Sequence, residues 1–301
     1  LKANFSERSF TIDCSANPSQ GGSTSGCGVF KFNEEVTVTA APNTGWSFVN
    51  WMEGSRVVST ERDYTFTVRG SRNLTANFKI NSYSINCGAN PEEGGRTEGC
   101  GGYEYGETAT LKASANPGWS FVNWTENGNV VSTENEYSFT VTESRNLNAN
   151  FSINSYTINC ESEPSQGGTT SGCGTFNYGT EITLTAAPGE NYDFVNWTDD
   201  GTEVSTNENY SFTVTGNRNL KANFALETHT INCSAVPSEG GTTNGCGNFE
   251  YGSSVTLTAS PNDGWNFVNW TIDEVPVSTE PEYSFTVNSP INIQANFEKV
   301  T

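Results

Sequence analysis

Residues 255–270 read VTLTASPNDGWNFVNW, and this stretch decides the fold. Val255, Leu257 and Ala259 alternate with Thr256, Thr258 and Ser260, the period-two pattern of a strand with one buried face. Pro261, Asn262, Asp263 and Gly264 interrupt that pattern with turn chemistry. Beyond the turn, Trp265, Phe267, Val268 and Trp270 place apolar residues on both parities. Such a strand is either covered on both sides or carries a bulge that brings two neighbours to one face.

The same stretch occurs four times. It reads VTVTAAPNTGWSFVNW at 36–51, ATLKASANPGWSFVNW at 109–124 and ITLTAAPGENYDFVNW at 182–197. Trp51, Trp124, Trp197 and Trp270 therefore step by 73 residues, as do Cys14, Cys87, Cys160 and Cys233 and, again, Cys27, Cys100, Cys173 and Cys246. A fixed period of this kind has to be read before chain length is turned into a domain count. Copies run over 9–81, 82–154, 155–227 and 228–301. Residues 1–5 (LKANF) match 220–224 (LKANF), so 1–8 reads as the last strand of a preceding copy. The joints, such as Lys79 to Ser82, are short, constant in length and poor in Gly and Pro, which predicts a semi-rigid array.

Around the deciding stretch each copy supplies further strands. Phe10, Ile12 and Cys14 alternate before it, followed by a short aromatic strand through Phe30 and Phe32. After it come Val57 and Val58, then Tyr64, Phe66 and Val68, then Leu74, Ala76 and Phe78. No segment of useful length has helical period. Trp46, Trp51, Trp119, Trp124, Tyr192, Trp197, Trp265 and Trp270 are the expected core aromatics. Gly45, Gly118 and Gly264 precede the aromatic strand, and the third copy has Asn191 there. Asn is the commonest substitute for Gly in left-handed backbone, so this position is predicted to have positive φ. The fold class is all-β: a tandem array of small disulfide-stapled β-domains, sandwich-like or like a β-grasp without its helix.

Each copy holds two cysteines. A unit that recurs without a slip closes its own bond, which pairs Cys14–Cys27, Cys87–Cys100, Cys160–Cys173 and Cys233–Cys246. Closing a loop of this length is worth about 3 kcal/mol on the chain-entropy account, a useful addition for a domain with a modest core. Such bonds persist in oxidising compartments, so the chain is expected to be extracellular or at a cell surface. The enclosed loop, Pro18 to Gly26, is Gly-, Ser- and Thr-rich and has little apolar content to order it without the bond. The spacing is not a zinc pattern and no His accompanies each pair, so neither metal nor cofactor is expected.

Charge narrows the partners. With 34 Asp and Glu against 14 Lys and Arg, the net charge of -20 opposes binding to nucleic acid or anionic lipid. No apolar run has the length of a membrane span. Catalysis needs unlike groups that converge, and no such set recurs. The single histidine, His229, stands where other copies have Phe10, Tyr83 and Tyr156 and reads as a strand residue in an aromatic slot. The loops at Met52-Glu53-Gly54, Glu126-Asn127-Gly128, Asp199-Asp200 and Ile272-Asp273-Glu274 are acidic but repeat no calcium-ligand series; they read as solvated turns. Lys31 and Lys112 share no repeat position, which excludes a lysine isopeptide design common to all copies. Sequons fall at Asn4, Asn73, Asn123, Asn150, Asn196, Asn209 and Asn269. Asn50, the mate of Asn123, is not a sequon, so this Asn is expected to bond to backbone.

The run at 255–270, followed by Tyr283-Ser-Phe-Thr-Val and Gln294-Ala-Asn-Phe, resembles the divergent B-repeats of bacterial surface proteins, akin to the Listeria–Bacteroides and internalin B-repeats. The resemblance extends over all four copies through Gly45-Trp46, Phe48, Trp51, Tyr64, Phe66 and Ala76-Asn77-Phe78 with their equivalents. It implies a stalk, spacer or fibre segment of an adhesin-like surface protein and a grasp-like strand arrangement. The cysteine pair departs from the usual pattern and adds a staple. The alternative is a carbohydrate- or protein-binding module built on exposed aromatics. Buried Trp46 and Trp51 favour the first reading, and solvent-facing Trp the second. Expected partners are the neighbouring repeats, with other copies in a fibre or a host or surface ligand left open.

Overall fold

The computed structural model describes residue 2 and residues 6–301. The LKANF segment at 1–5 thus lies, apart from Lys2, outside the described residues. The chain divides into two compact units, Leu1–Asn154 and Ser155–Thr301, each holding two copies.

In the first copy the strands are β1 (Ser9–Asn17), β2 (Gly22–Ser25), β3 (Gly28–Lys31), β4 (Glu35–Pro42), β5 (Trp46–Glu53), β6 (Arg56–Ser59), β7 (Asp63–Thr67) and β8 (Arg72–Ile80). They form a five-stranded sheet in the order β3-β1-β8-β5-β6 and a three-stranded sheet in the order β2-β4-β7. The other copies repeat both orders. The first and last strands of the copy lie side by side and parallel, with Ile12 opposite Arg72 and Asn17 opposite Asn77. The remaining pairs in both sheets are antiparallel. Parallel pairing of the two end strands is the grasp-like element. The small sheet supplies the second layer, so each copy is a sandwich. Helical structure among the described residues is limited to single 3-10 turns such as Ser19–Gly21.

Each sandwich closes its own core. In the first, Ile12, Val36, Val38, Ala40, Trp51, Val68, Leu74, Ala76 and Phe78 are buried together, and the equivalent residues close the other three. The strand with apolar residues on both parities is resolved by a bulge. Phe48 pairs with Phe78 and Asn50 with Asn77, leaving Val49 as the extra residue. Val49 turns outward and is 45 % exposed, while Trp51 returns to the core at 0 %. The same shift occurs at Val122, Val195 and Val268.

Three expectations are corrected. The cysteine loop is ordered by more than its disulfide: it holds the 3-10 turn and β2, which pairs with β4. Its glycines are there for contact. A Cβ on Gly22 would lie 2.5 Å from both Phe78 Cζ and the Ala41 carbonyl oxygen, so only a bare Cα lets Phe78 close the sandwich against this backbone. Phe32 lies beyond β3, in the turn before β4, and is 48 % exposed. Trp46, Trp119, Tyr192 and Trp265 are half-buried, packed against the core edge and not within it.

Candidate functional site

The indole nitrogens show how the sandwich spends its polar groups. Trp51 Nε1 donates to the Arg62 carbonyl at 3.1 Å, and Trp124, Trp197 and Trp270 donate to Asn135, Glu208 and Pro281. Aromatic area is buried and its one donor is satisfied by the loop before β7 or its equivalent. The described residues leave no buried side-chain nitrogen or oxygen without a partner.

The half-sandwich edge carries a second construction. Arg72 donates through Nε and Nη2 to both carboxylate oxygens of Glu53, at 3.1 and 2.9 Å, and through Nη1 to Tyr64 Oη at 3.1 Å. Its guanidinium carbon lies 4.4 Å from the centre of the Phe66 ring. Arg145 does the same with Glu126, Tyr137 and Phe139, while Arg218 reaches a single oxygen of Asp199 through Nε at 2.7 Å and keeps the contacts to Tyr210 and Phe212. Planar, forked and weakly hydrated, Arg suits a position that is both paired and stacked. The Arg145 hydrogen bond holds the Glu126 carboxyl below its ordinary range against the opposing effect of burial, and Arg72 does so for Glu53. In the fourth copy the two positions are Ile272 and Ile291, both packed on the core beside Tyr283 and Phe285.

This corrects the reading of the acidic loops. Glu53, Glu126 and Asp199 are structural partners of arginine, and only the residues after them are solvated turns. Asp200, Asp273 and Glu274 are exposed at positive φ of 46°, 47° and 66°. The arginines were missed because their partners lie 19 residues away. The available signal was that Arg72, Arg145 and Arg218 keep the 73-residue period and disappear together with the acid in the fourth copy.

The Asn at the bulge is also corrected. Asn77 Nδ2 donates to Asn50 Oδ1 at 2.8 Å, and Asn17 Nδ2 donates to Asn77 Oδ1 at 2.9 Å, a ladder of side chains across β1, β8 and β5. Asn150 joins Asn90 and Asn123 in the same way. The partner is a neighbouring carboxamide, not backbone. The Asn150 sequon thus has its amide nitrogen committed to Asn123 and Thr125.

Cys14–Cys27, Cys87–Cys100, Cys160–Cys173 and Cys233–Cys246 are bonded, with Cα separations of 6.0, 5.7, 6.0 and 5.9 Å. Each joins the first strand to the bend before the third. His229 sits in its aromatic slot, edge-on to Tyr251 at 6.2 Å, with Nε2 3.8 Å from Glu227. A shallow trough of about 650 Å³ on the outer face of the fourth copy is lined by Asn232, Ser234, Asp273, Glu274, Asn292 and Gln294. It brings no nucleophile to a base. Among the described residues no three His, Cys, Asp or Glu are grouped to hold a metal ion, and no helix is long and apolar enough to cross a membrane.

The model of the divergent InlB B-repeat domain matches residues 12–82, 85–155, 158–228 and 231–301. The chain belongs to that family. Its four B-repeats occupy nearly all of the sequence, each match beginning three residues after the period-based start, the first three ending one residue past the period-based end and the last ending with it at 301. No curated protein matches the chain. Among solved structures, the B-repeats are similar to the Bacillus anthracis TIE protein at 10 % identity and a TM-score of 0.34, over 91 % of this chain and 62 % of that one. A point variant of the major pilin from Streptococcus pyogenes aligns at 11 % identity and a TM-score of 0.15, over 99 % of this chain and 100 % of the pilin. Two B repeat units of the collagen binding protein of Staphylococcus aureus align at 9 % and 0.13, over 98 % and 100 %. The chain therefore spans less than two thirds of the TIE protein. At these scores the likenesses carry no argument about what the B-repeats do.

Proposed function

We propose that the four B-repeats form a spacer, or stalk, in an extracellular adhesin-like surface protein. One observation carries the reading: the chemistry-bearing side chains that recur are spent inside their own repeat. Trp51 and its mates are fully buried, the arginines hold carboxylates of the same copy, and the cysteines bond within copies. What remains at the surface is largely acidic and hydroxylated, with scattered exposed valines, and a net charge of -20 makes self-collapse of the array costly.

Burial of Trp51 and its mates favours the spacer over a carbohydrate-binding module, whereas the half-buried Trp46 position keeps part of an aromatic surface, and the trough on the fourth repeat has no aromatic lining. The four disulfides fit an oxidising compartment. A spacer places its neighbours at a distance. Four globules of this size end to end span on the order of 100–130 Å. Small-angle scattering of the whole chain in moderate salt should give a maximum dimension in that range. A value near about 70 Å, that of a compact cluster, would sink the spacer reading.

A further inference from the structure

We propose that the turn glycine of a B-repeat is a socket for the aromatic ring that follows the third strand of the next B-repeat, and that the residue between repeats is the pin of this joint. The use of such a joint rests on the spacer reading; its geometry does not.

The first unit shows it. Gly45 lies in the turn between β4 and β5 at φ 81°. A Cβ built there would sit 2.0 Å from Tyr105 Cδ1 and 2.3 Å from its Cγ. The Tyr105 ring of the second repeat is therefore laid directly on the bare backbone of the first. Asn81, the residue between the two, has both of its main-chain groups engaged. Its N–H donates to the Gly45 carbonyl at 2.8 Å, and its carbonyl accepts the Tyr105 N–H at 2.9 Å. Its side-chain oxygen accepts from Ser47 Oγ at 2.6 Å. A connector whose polar groups are bonded on both sides, under a ring that bears on glycine, has few torsions left to turn. This is the opposite of a Gly/Ser linker, whose reach follows from free torsions.

Within the second unit the same position tests which part is essential. Asn191 replaces the glycine at φ 63°, so that this position carries a side chain. The backbone pin persists: Glu227 N–H donates to the Asn191 carbonyl at 2.9 Å and Tyr251 N–H donates to the Glu227 carbonyl at 2.8 Å. Tyr251 packs edge-on against His229 of its own repeat. The pin is thus common to both joints, and the ring-on-glycine contact belongs to the joint that has the glycine. The partner that fits the socket is a B-repeat with an aromatic residue at the position of Tyr105.

The chain also contains its own control. Gly264 has φ 79°, nearly that of Gly45, but nothing lies within 4 Å of a Cβ built on it. Gly264→Ala pays only for a side chain in left-handed backbone, whereas Gly45→Ala must also displace Tyr105. Amide hydrogen exchange on the full 301-residue chain reads the joint at the Asn81 and Tyr105 N–H groups. Tyr105→Ala and Gly45→Ala should each accelerate those two amides by roughly tenfold or more, as local opening replaces a held contact. Tyr105→Phe should leave them protected, and Gly264→Ala should not touch them. Core amides of Leu111 and Trp124 report whether the second repeat is still folded; if Tyr105→Ala unfolds it, Gly45→Ala, placed in the first repeat, decides. Unchanged exchange at Asn81 and Tyr105 in Gly45→Ala overturns the socket. A chain that scatters with a maximum dimension on the order of 100–130 Å but without that protection would lose the socket and keep the spacer.

Discussion

The fourth repeat replaces an ion pair with two isoleucines, and copying that exchange into the second repeat tests how the pair is coupled. Arg145 Nη2 lies 2.7 Å from Glu126 Oε2, with side chains only 16 % and 23 % exposed. Arg145→Ile alone removes hydrogen bonds to a charged group, in general about 1.5–3 kcal/mol, part of which water returns to a carboxylate at the rim. Loss of the guanidinium over Phe139 adds roughly 0.5–1 kcal/mol. The net expectation is a loss of about 2 kcal/mol. Glu126→Ile strands the arginine and should also lose about 2 kcal/mol. With both replaced, no charge is left unpaired and two apolar side chains pack on the core, as Ile272 and Ile291 do. The double variant should lie within about 1 kcal/mol of the parent, a coupling of about 3 kcal/mol. A four-repeat chain has no single well-defined melting point, so the assay is native-state exchange of the Trp124 and Leu147 amides, with Trp51, Trp197 and Trp270 as references. Each single change should speed the second repeat by about 30-fold and the double by about fivefold or less. A double variant that loses the sum of the singles would refute the coupling.

Acid should act unequally on the repeats. The Glu53 and Glu126 carboxyls are held low by Arg72 and Arg145, so their contribution is complete above the ordinary Glu range and is lost as pH falls through their lowered folded values. Exchange followed from pH 5 to about pH 2 should show the first two repeats weakening through this linkage, which Ile272 and Ile291 cannot supply to the fourth. For the staples, non-reducing peptide mapping should find Cys14 with Cys27, and Cys14→Ser with Cys27→Ser should cost the first repeat about 3 kcal/mol; a Cys14–Cys100 peptide would overturn the pairing. Asn150→Ala removes the centre of a three-Asn ladder and should cost about 1–2 kcal/mol in the second repeat, read by the same exchange; an effect below about 0.3 kcal/mol would mean that water replaces the ladder freely.

The strands were legible where side chains alternate. Val36, Val38 and Ala40 face the core, and the doubled parity at Phe48 and Val49 is a bulge, one of the two options that the pattern left open. The left-handed turn was legible because Asn191 stands where three copies have glycine. β2 was not, because its order comes from outside it: pairing with β4 and the press of Phe78 against Gly22 leave no apolar period in Gly22–Ser25. The Arg72–Glu53 pair was hidden for a related reason. Its members come from β8 and β5, neighbours only once the sheet is formed, so that Glu53 sits opposite Leu74. Trp46 was overcounted as core since a strand pattern gives the face of a residue but not its distance from the sandwich edge.

The copies behave as a set of natural variants, and what changes in concert differs from what changes alone. Arg and its carboxylate leave together at Ile272 and Ile291, as expected of groups that are costly only when separated. Asn17 gives way to Glu163 and to Val236 while Asn223–Asn196 and Asn296–Asn269 keep their bond, so the outer rung of the ladder is dispensable and the inner one is not. Trp51, Trp124, Trp197 and Trp270 do not vary, and each indole closes the loop before the strand facing it. Every one of these couplings ends within its own repeat. The socket at Gly45 and the pin at Asn81 do not: they bind the first repeat to the second. A sandwich that satisfies itself can be multiplied without redesign, and the properties left to adjust are the number of copies and the stiffness of the joint between them.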